Sequence, residues 1–204
     1  MDNHRIIFMG SPKIASEYLQ LLVKNNLNVI SVYTQPPRPK GRGMTIQNSS
    51  VHDEALIQGI PIFHPENFKD KKNVETFTKL DPDLVIVMAY GILLPDRILS
   101  CPKFGCINIH VSLLPRWRGA APVEHALLNG DKETGVTIFK LINKLDAGPI
   151  LSQVSLSIND NGIKKLPASL GNLTKLKKLS AYSNLLTSIP KSIGNLANLI
   201  ELNL

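Results

Sequence analysis

Between Arg5 and Leu141 the chain switches repeatedly from short β-branched runs to stretches with helical spacing, and few folds accept that alternation. Arg5–Met9 (RIIFM), Val29–Thr34, Ile60–Phe63, Leu84–Met88, Cys106–Ile109 and Val136–Leu141 read as strands. Between them, helical spacing is expected after Gly10-Ser11-Pro12, with Ile14, Tyr18, Leu21 and Leu22 on the apolar stripe and Ser11 as N-cap, then over Val51–Gln58 and Val74–Leu80. A Pro/Gly/Arg-rich loop separates the second strand from the second helix. Strand, helix, strand in this order specifies βαβ units, hence an open, mostly parallel α/β sheet.

Length and charge narrow the options. The 204 residues suffice for one substantial core and a small appendage. The formal charge of +7 suggests an acidic partner, but residues 1–150 hold 17 basic and 14 acidic side chains and residues 151–204 hold six and two. Most of the excess per residue lies in the tail, so nucleic-acid binding by the main body has to rest on local basic clusters. Cys101 and Cys106 form no disulfide framework, and no window reaches the length of a membrane span. A cytoplasmic protein is expected.

From Leu156 the pattern changes. Leu156, Leu179 and Leu202 are spaced 23 apart, as are Asn161 and Asn184, and Pro167 and Pro190. A fixed period of this length marks stacked repeats. The unit LKKLSAYSNLLTSIPKSIGNLANL resembles the leucine-rich repeat, which implies a short solenoid over residues 154–204 holding about two incomplete repeats. Ala181 takes a slot that a larger aliphatic residue usually fills.

The segment with most chemical content is CINIHVSLLPRWRGAAP, Cys106–Pro122, followed by GDKETGVTIF and KLDAGPIL. Asn108 and His110 are two apart on a strand, so both side chains share a face, and the strand ends in a Ser/Pro/Gly loop. Ligands of open α/β sheets bind at that carboxyl end. Asp146 follows a later strand in a turn with Ala147, Gly148 and Pro149. An amide, an imidazole and a carboxylate suit acyl transfer without a covalent enzyme intermediate: two donors stabilise an oxyanion and the carboxylate orients the imidazole. No close-spaced ligand pair among the histidines points to a metal. His4, His52, His64 and His125 read as ordinary polar residues.

Asn-x-His-x-Ser-Leu-Leu-Pro followed by Leu-Asp-x-Gly resembles the pattern of the folate-dependent formyltransferases over residues 1 to about 158, placing a Rossmann-like catalytic domain at 1–153 with its C-terminal part missing. Arg116–Pro122, Thr34–Pro36 and Arg38–Gly43 are most similar to the branch that acts on methionyl-tRNA. The resemblance implies formyl transfer from 10-formyltetrahydrofolate to the α-amine of methionyl-initiator tRNA, with no metal. It implies that Asn108 and His110 stabilise the oxyanion while Asp146 aligns His110 and assists proton removal. Folate contacts are expected from Ala89, Tyr90, Gly91, Ile92, Leu93 and Leu94, and from Ser112, Leu113, Leu114 and Pro115; tRNA contacts are expected from Arg38, Lys40 and Arg42. His52 departs from the pattern, standing where Lys is usual. The alternatives are a protein-interaction module built on the repeats, or an inactive fusion or fragment.

Overall fold

The computed structural model describes residues 4–40, 44–157, 164–166, 168–172, 174, 176–181 and 184–204. Its strands and helices follow the alternation read above: β1 (Ile6–Gly10), α1 (Lys13–Lys24), β2 (Val29–Tyr33), β3 (Arg38–Lys40), β4 (Thr45–Gln47), α2 (Ser50–Ile57), β5 (Ile62–Phe63), α3 (Lys71–Lys79), β6 (Leu84–Met88), α4 (Asp96–Leu99), β7 (Cys106–His110), α5 (Pro122–Leu128), β8 (Glu133–Lys140) and β9 (Ile150–Ser157). The tail adds β10 (Lys178–Ser180), β11 (Glu201–Asn203) and short 3-10 turns at Ala168–Asn172 and Lys191–Asn195. No helix among the described residues is long and apolar enough to cross a membrane.

Seven strands form one sheet in the order β5-β2-β1-β6-β7-β8-β9. The pairs β1·β2, β1·β6, β2·β5 and β6·β7 are parallel. β1 is buried at all five positions, as a central strand covered on both faces should be. The chain divides into two compact units, one of residues 1–110 and 138–151, the other of residues 111–137 and 152–204.

The first unit has its core on Ile7, Met9, Tyr33, Phe77, Val85 and Val87. Side-chain caps start two of its helices: Ser49 accepts from the His52 amide at 3.0 Å, and Asp70 accepts from the Lys72 amide at 2.9 Å. Two expectations for α1 fail. Its buried residues are Ala15, Ser16 and Leu19, while Ile14 and Leu21 face solvent, because small side chains let the helix lie close to the sheet. Ser11 does not cap it either; Pro12 occupies the N-cap position without a side-chain bond. The Ser11 hydroxyl instead accepts from the Gln35 amide at 3.3 Å. The segment expected as a loop after β2 holds an antiparallel hairpin, β3 on β4, pairing Arg38 with Gln47 and Lys40 with Thr45.

In the second unit β10 and β11 pair in parallel, Lys178 with Glu201 and Leu179 with Leu202, so the 23-residue period reappears as the register between neighbouring strands. A bridge between Lys165 and Ser188 repeats that offset. Ala181 is fully buried, and its small side chain fits a slot where its amide meets the Asn203 carbonyl at 2.6 Å. Asn184 donates to the Ala181 carbonyl at 2.9 Å. Asn161 and Pro167, which define the first copy of the period, lie outside the described residues.

Candidate functional site

β6 and β7 run parallel with Val87 opposite Asn108, so both strands release their chains at the same edge of the sheet. His110 is the last residue of β7, and the chain leaves β6 through Ala89, Tyr90 and Gly91. His110 is buried, and its ring meets that of Phe139 edge-on at 6.5 Å. Its Nδ1 lies 3.8 Å from Oδ2 of Asp146, and the two side chains are only 8% and 11% exposed. Asp146 adopts a left-handed conformation at φ 39°, which costs a non-glycine residue about 1–3 kcal/mol. That strain aims a carboxylate back at the strand edge.

Gly148 makes the turn possible. A Cβ built there would run into the Lys140 carbonyl, while the Lys140 amide donates to the Pro149 carbonyl at 2.9 Å. Backbone of the turn thus lies directly on β8, and only glycine leaves room for it.

The second turn of this edge is held differently. Ala89 and Gly91 both have positive φ, and a Cβ on Gly91 would strike the Gln35 amide nitrogen, which donates to the Tyr90 carbonyl at 2.9 Å. Ser11, Thr34 and Ser49 continue this network, with Thr34 and Ser49 hydroxyls 2.6 Å apart. Of the residues expected to touch folate here, Tyr90 and Leu94 belong to the buried core and Ile92 packs against it. Ala89, Gly91 and Leu93 are exposed, with Leu93 at 84%.

In the second unit, the loop Ser112–Pro115 is organised by Thr137. The buried Thr137 hydroxyl donates to the Ser112 carbonyl at 2.6 Å and accepts from the Leu114 amide at 3.2 Å and the Gln153 amide at 2.8 Å. One proton and both lone pairs are used. Gln153 also donates to the Leu114 carbonyl at 3.0 Å. Ser112 and Leu114 are buried, Leu113 is half-buried and Pro115 is exposed. Arg116 is turned into a structural residue by Asp131, which accepts from it at 2.7 and 2.6 Å.

Sequence reasoning missed Gln35, Thr137, Gln153 and Asp131. Each acts on backbone or side chains distant in sequence, with separations up to 55 residues, so no local motif exposes it. Of the expected tRNA-contacting residues, Arg38 is exposed at the start of the hairpin; Arg42 lies outside the described residues, and the Lys40 side chain is not among those described. Among the described residues no group of three or more His, Cys, Asp or Glu could hold a metal ion. Burial, with a smaller push from Cys101 and an opposing pull from Lys140, moves the Cys106 thiol up to about 12. It therefore offers no thiolate nucleophile at neutral pH.

Residues 4–169 match the model of the formyl transferase family. Methionyl-tRNA formyltransferase of Methylococcus capsulatus is 48% identical over 157 residues, 77% of this chain and 51% of that protein. The enzyme of the same name from a Wolbachia of Drosophila simulans is 50% identical over 157 residues, 77% of this chain and 52% of that protein. The chain thus spans about half the length of the curated relatives it matches. A solved phosphoribosylglycinamide formyltransferase from Bacillus halodurans superposes with a TM-score of 0.62 at 24% identity, over 76% of this chain and 80% of that one, which establishes the shared fold. The extent of the family match, together with the parallel sheet that carries it, means that this chain belongs to the formyl transferase family.

Proposed function

We propose that the chain transfers a formyl group from 10-formyltetrahydrofolate to the α-amine of methionyl-initiator tRNA in the cytoplasm, with Asn108, His110 and Asp146 as the working trio. The observation that carries this reading is the buried His110, held with Nδ1 toward Asp146 at the carboxyl edge of the sheet. With Nδ1 facing the carboxylate, Nε2 is the ring nitrogen turned elsewhere, and an imidazolium donates from it to the formyl oxygen. The Asn108 amide supplies a second donor. The folate donor supplies an activated formyl carbon and an amine leaving group: the incoming amine bonds to that carbon, the bond to the folate nitrogen breaks, and a proton passes from the incoming amine to the leaving one. Asp146 holds the imidazole and accepts the proton in transit.

Ala89, Gly91 and Leu93 are the exposed members of the β6 edge against which the folate rests. The hairpin carrying Arg38 contributes charge toward tRNA phosphates. We read residues 154–204 as about two incomplete leucine-rich repeats, appended to a catalytic domain spanning 1–153. The 23-residue parallel register supports that assignment.

Formylation of charged initiator tRNA with 10-formyltetrahydrofolate tests the trio. His110→Ala and Asp146→Ala each lower the rate by about 10²–10³-fold, the usual cost of losing one oxyanion-stabilising group or its support. Equal rates in the parent and both variants would sink the reading.

A further inference from the structure

The apolar cluster of the second unit ignores chain order. α5 contributes Ala126 and Leu127, and the tail contributes Leu170, Leu176, Leu179 and Leu196, all buried in one contiguous group. Trp117 packs on the flank of that group. The polar edge of the same indole is pinned: Nε1 donates to Oδ2 of Asp131 at 2.6 Å. The Arg116 guanidinium lies 4.3 Å from the indole centroid, and the His125 ring stacks on it at 5.3 Å with a 12° interplanar angle. The clamp reaches the preceding loop directly, because the Ser112 hydroxyl donates to the Arg116 carbonyl at 2.7 Å.

Asp131 can fix the polar edge of Trp117 but offers no surface for the ring to lie on. Arg116 and His125 lie against the plane of the indole, and the leucine cluster supplies the apolar contact that neither polar side chain offers. Backbone conformation adds to the demand: Trp117 sits at φ 59°, and Ala121, the N-cap of α5, at φ 54°, both left-handed positions that persist only where surrounding packing over-determines them.

We infer that the tail leucines Leu166, Leu170, Leu176, Leu179 and Leu196 are a positioning partner of the Arg116–Trp117 turn, seating Trp117 and α5 on their cluster so that the geometry of the turn depends on the tail. The tail is then no independent appendage. This inference needs only contacts within the second unit and stands whether or not the chain transfers formyl groups.

Trp117 is the single tryptophan of the chain, so its emission reports on this turn alone. In the full chain, Leu179→Ala removes a fully buried side chain of the cluster. The expected result is a red shift of Trp117 emission with amide exchange at Ala126 and Leu127 accelerated at least tenfold, while the β6 amides Val85–Val87 keep their protection. Leu185→Ala, at an exposed position, leaves both readouts unchanged. Fast exchange around Leu179 with Trp117 emission and α5 protection unaltered would overturn the inference, since the tail would then fold separately. Should Leu179→Ala lose β6 protection too, Leu179→Val is judged by the same criteria; loss of β6 protection in both would also overturn it, assigning the cluster to general stability rather than to this turn.

Discussion

Thr137 and Gly148 show how single residues without chemistry of their own hold the candidate site in place. The Thr137 hydroxyl satisfies the Ser112 carbonyl, the Leu114 amide and the Gln153 side chain from a fully buried position. Thr137→Val keeps the shape and strands those partners, so it lowers stability by about 1–3 kcal/mol, whereas Thr137→Ser costs much less. Urea midpoints at constant m check this, and equal midpoints for the Val and Ser variants would refute it. At Gly148 the obstacle is steric. A methyl group there meets the Lys140 carbonyl, so Gly148→Ala displaces the Asp146 turn and lowers stability by about 1–3 kcal/mol. An unchanged unfolding midpoint in that variant would show that the turn has slack. The sequence singles out the proposed trio through two separate motifs, Asn-x-His at Asn108–His110 and Leu-Asp-x-Gly around Asp146, although 36 residues part His110 from Asp146. Thr137 stands in no such motif, and its partners are 16 to 25 residues away.

Among the elements, the strands were easier to read than the helix faces. Leu84–Met88 matches β6 residue for residue, since a run of five apolar residues has only one place in a parallel sheet. For α1 the large residues misled: packing against the sheet selected Ala15, Ser16 and Leu19 and left Ile14 and Leu21 outside. A contact between elements also yields a pH effect. His52 of α2 and His64, just after β5, bring ring nitrogens within 2.7 Å, their rings stacked at 4.8 Å. Burial first, and the neighbouring His52 second, hold the His64 pKa below its ordinary 6.5. The unfolded chain therefore binds more protons than the folded one as pH falls, so stability drops below about pH 6.5 toward the lowered folded value. Thermal unfolding between pH 7.5 and 5.5 should show a smaller loss in His64→Gln than in the parent. The reverse order would rule out this linkage.

At the scale of the whole molecule, β9 stands out. It is the last strand of the sheet, exposed at all eight positions, with Leu151, Val154 and Leu156 in solvent and no charged residue along its length. Exposed apolar edges without charged or proline interruptions pair with other chains. The chain is accordingly expected to gain mean mass with concentration in light scattering, and Val154→Lys to suppress that gain. A parent that stays monodisperse across the same range would contradict the expectation. The two compact units also cut across the sequence, interleaving 111–137 with 152–204, an arrangement that no linear reading of composition or period discloses.

The sequence by itself determined the α/β alternation, the family and the 23-residue period of the tail, and it named Asn108, His110 and Asp146 as candidates. Alternation and period are written in regular spacing, which strand and helix geometry convert directly into faces and registers. Only the tertiary structure decided that Tyr90 and Leu94 belong to the core, that Arg116 is claimed by Asp131, and that the tail's leucines share a cluster with α5 and Trp117. Burial and hydrogen-bond pairing are settled by which distant segments meet, and that choice is made by the packing of the assembled chain.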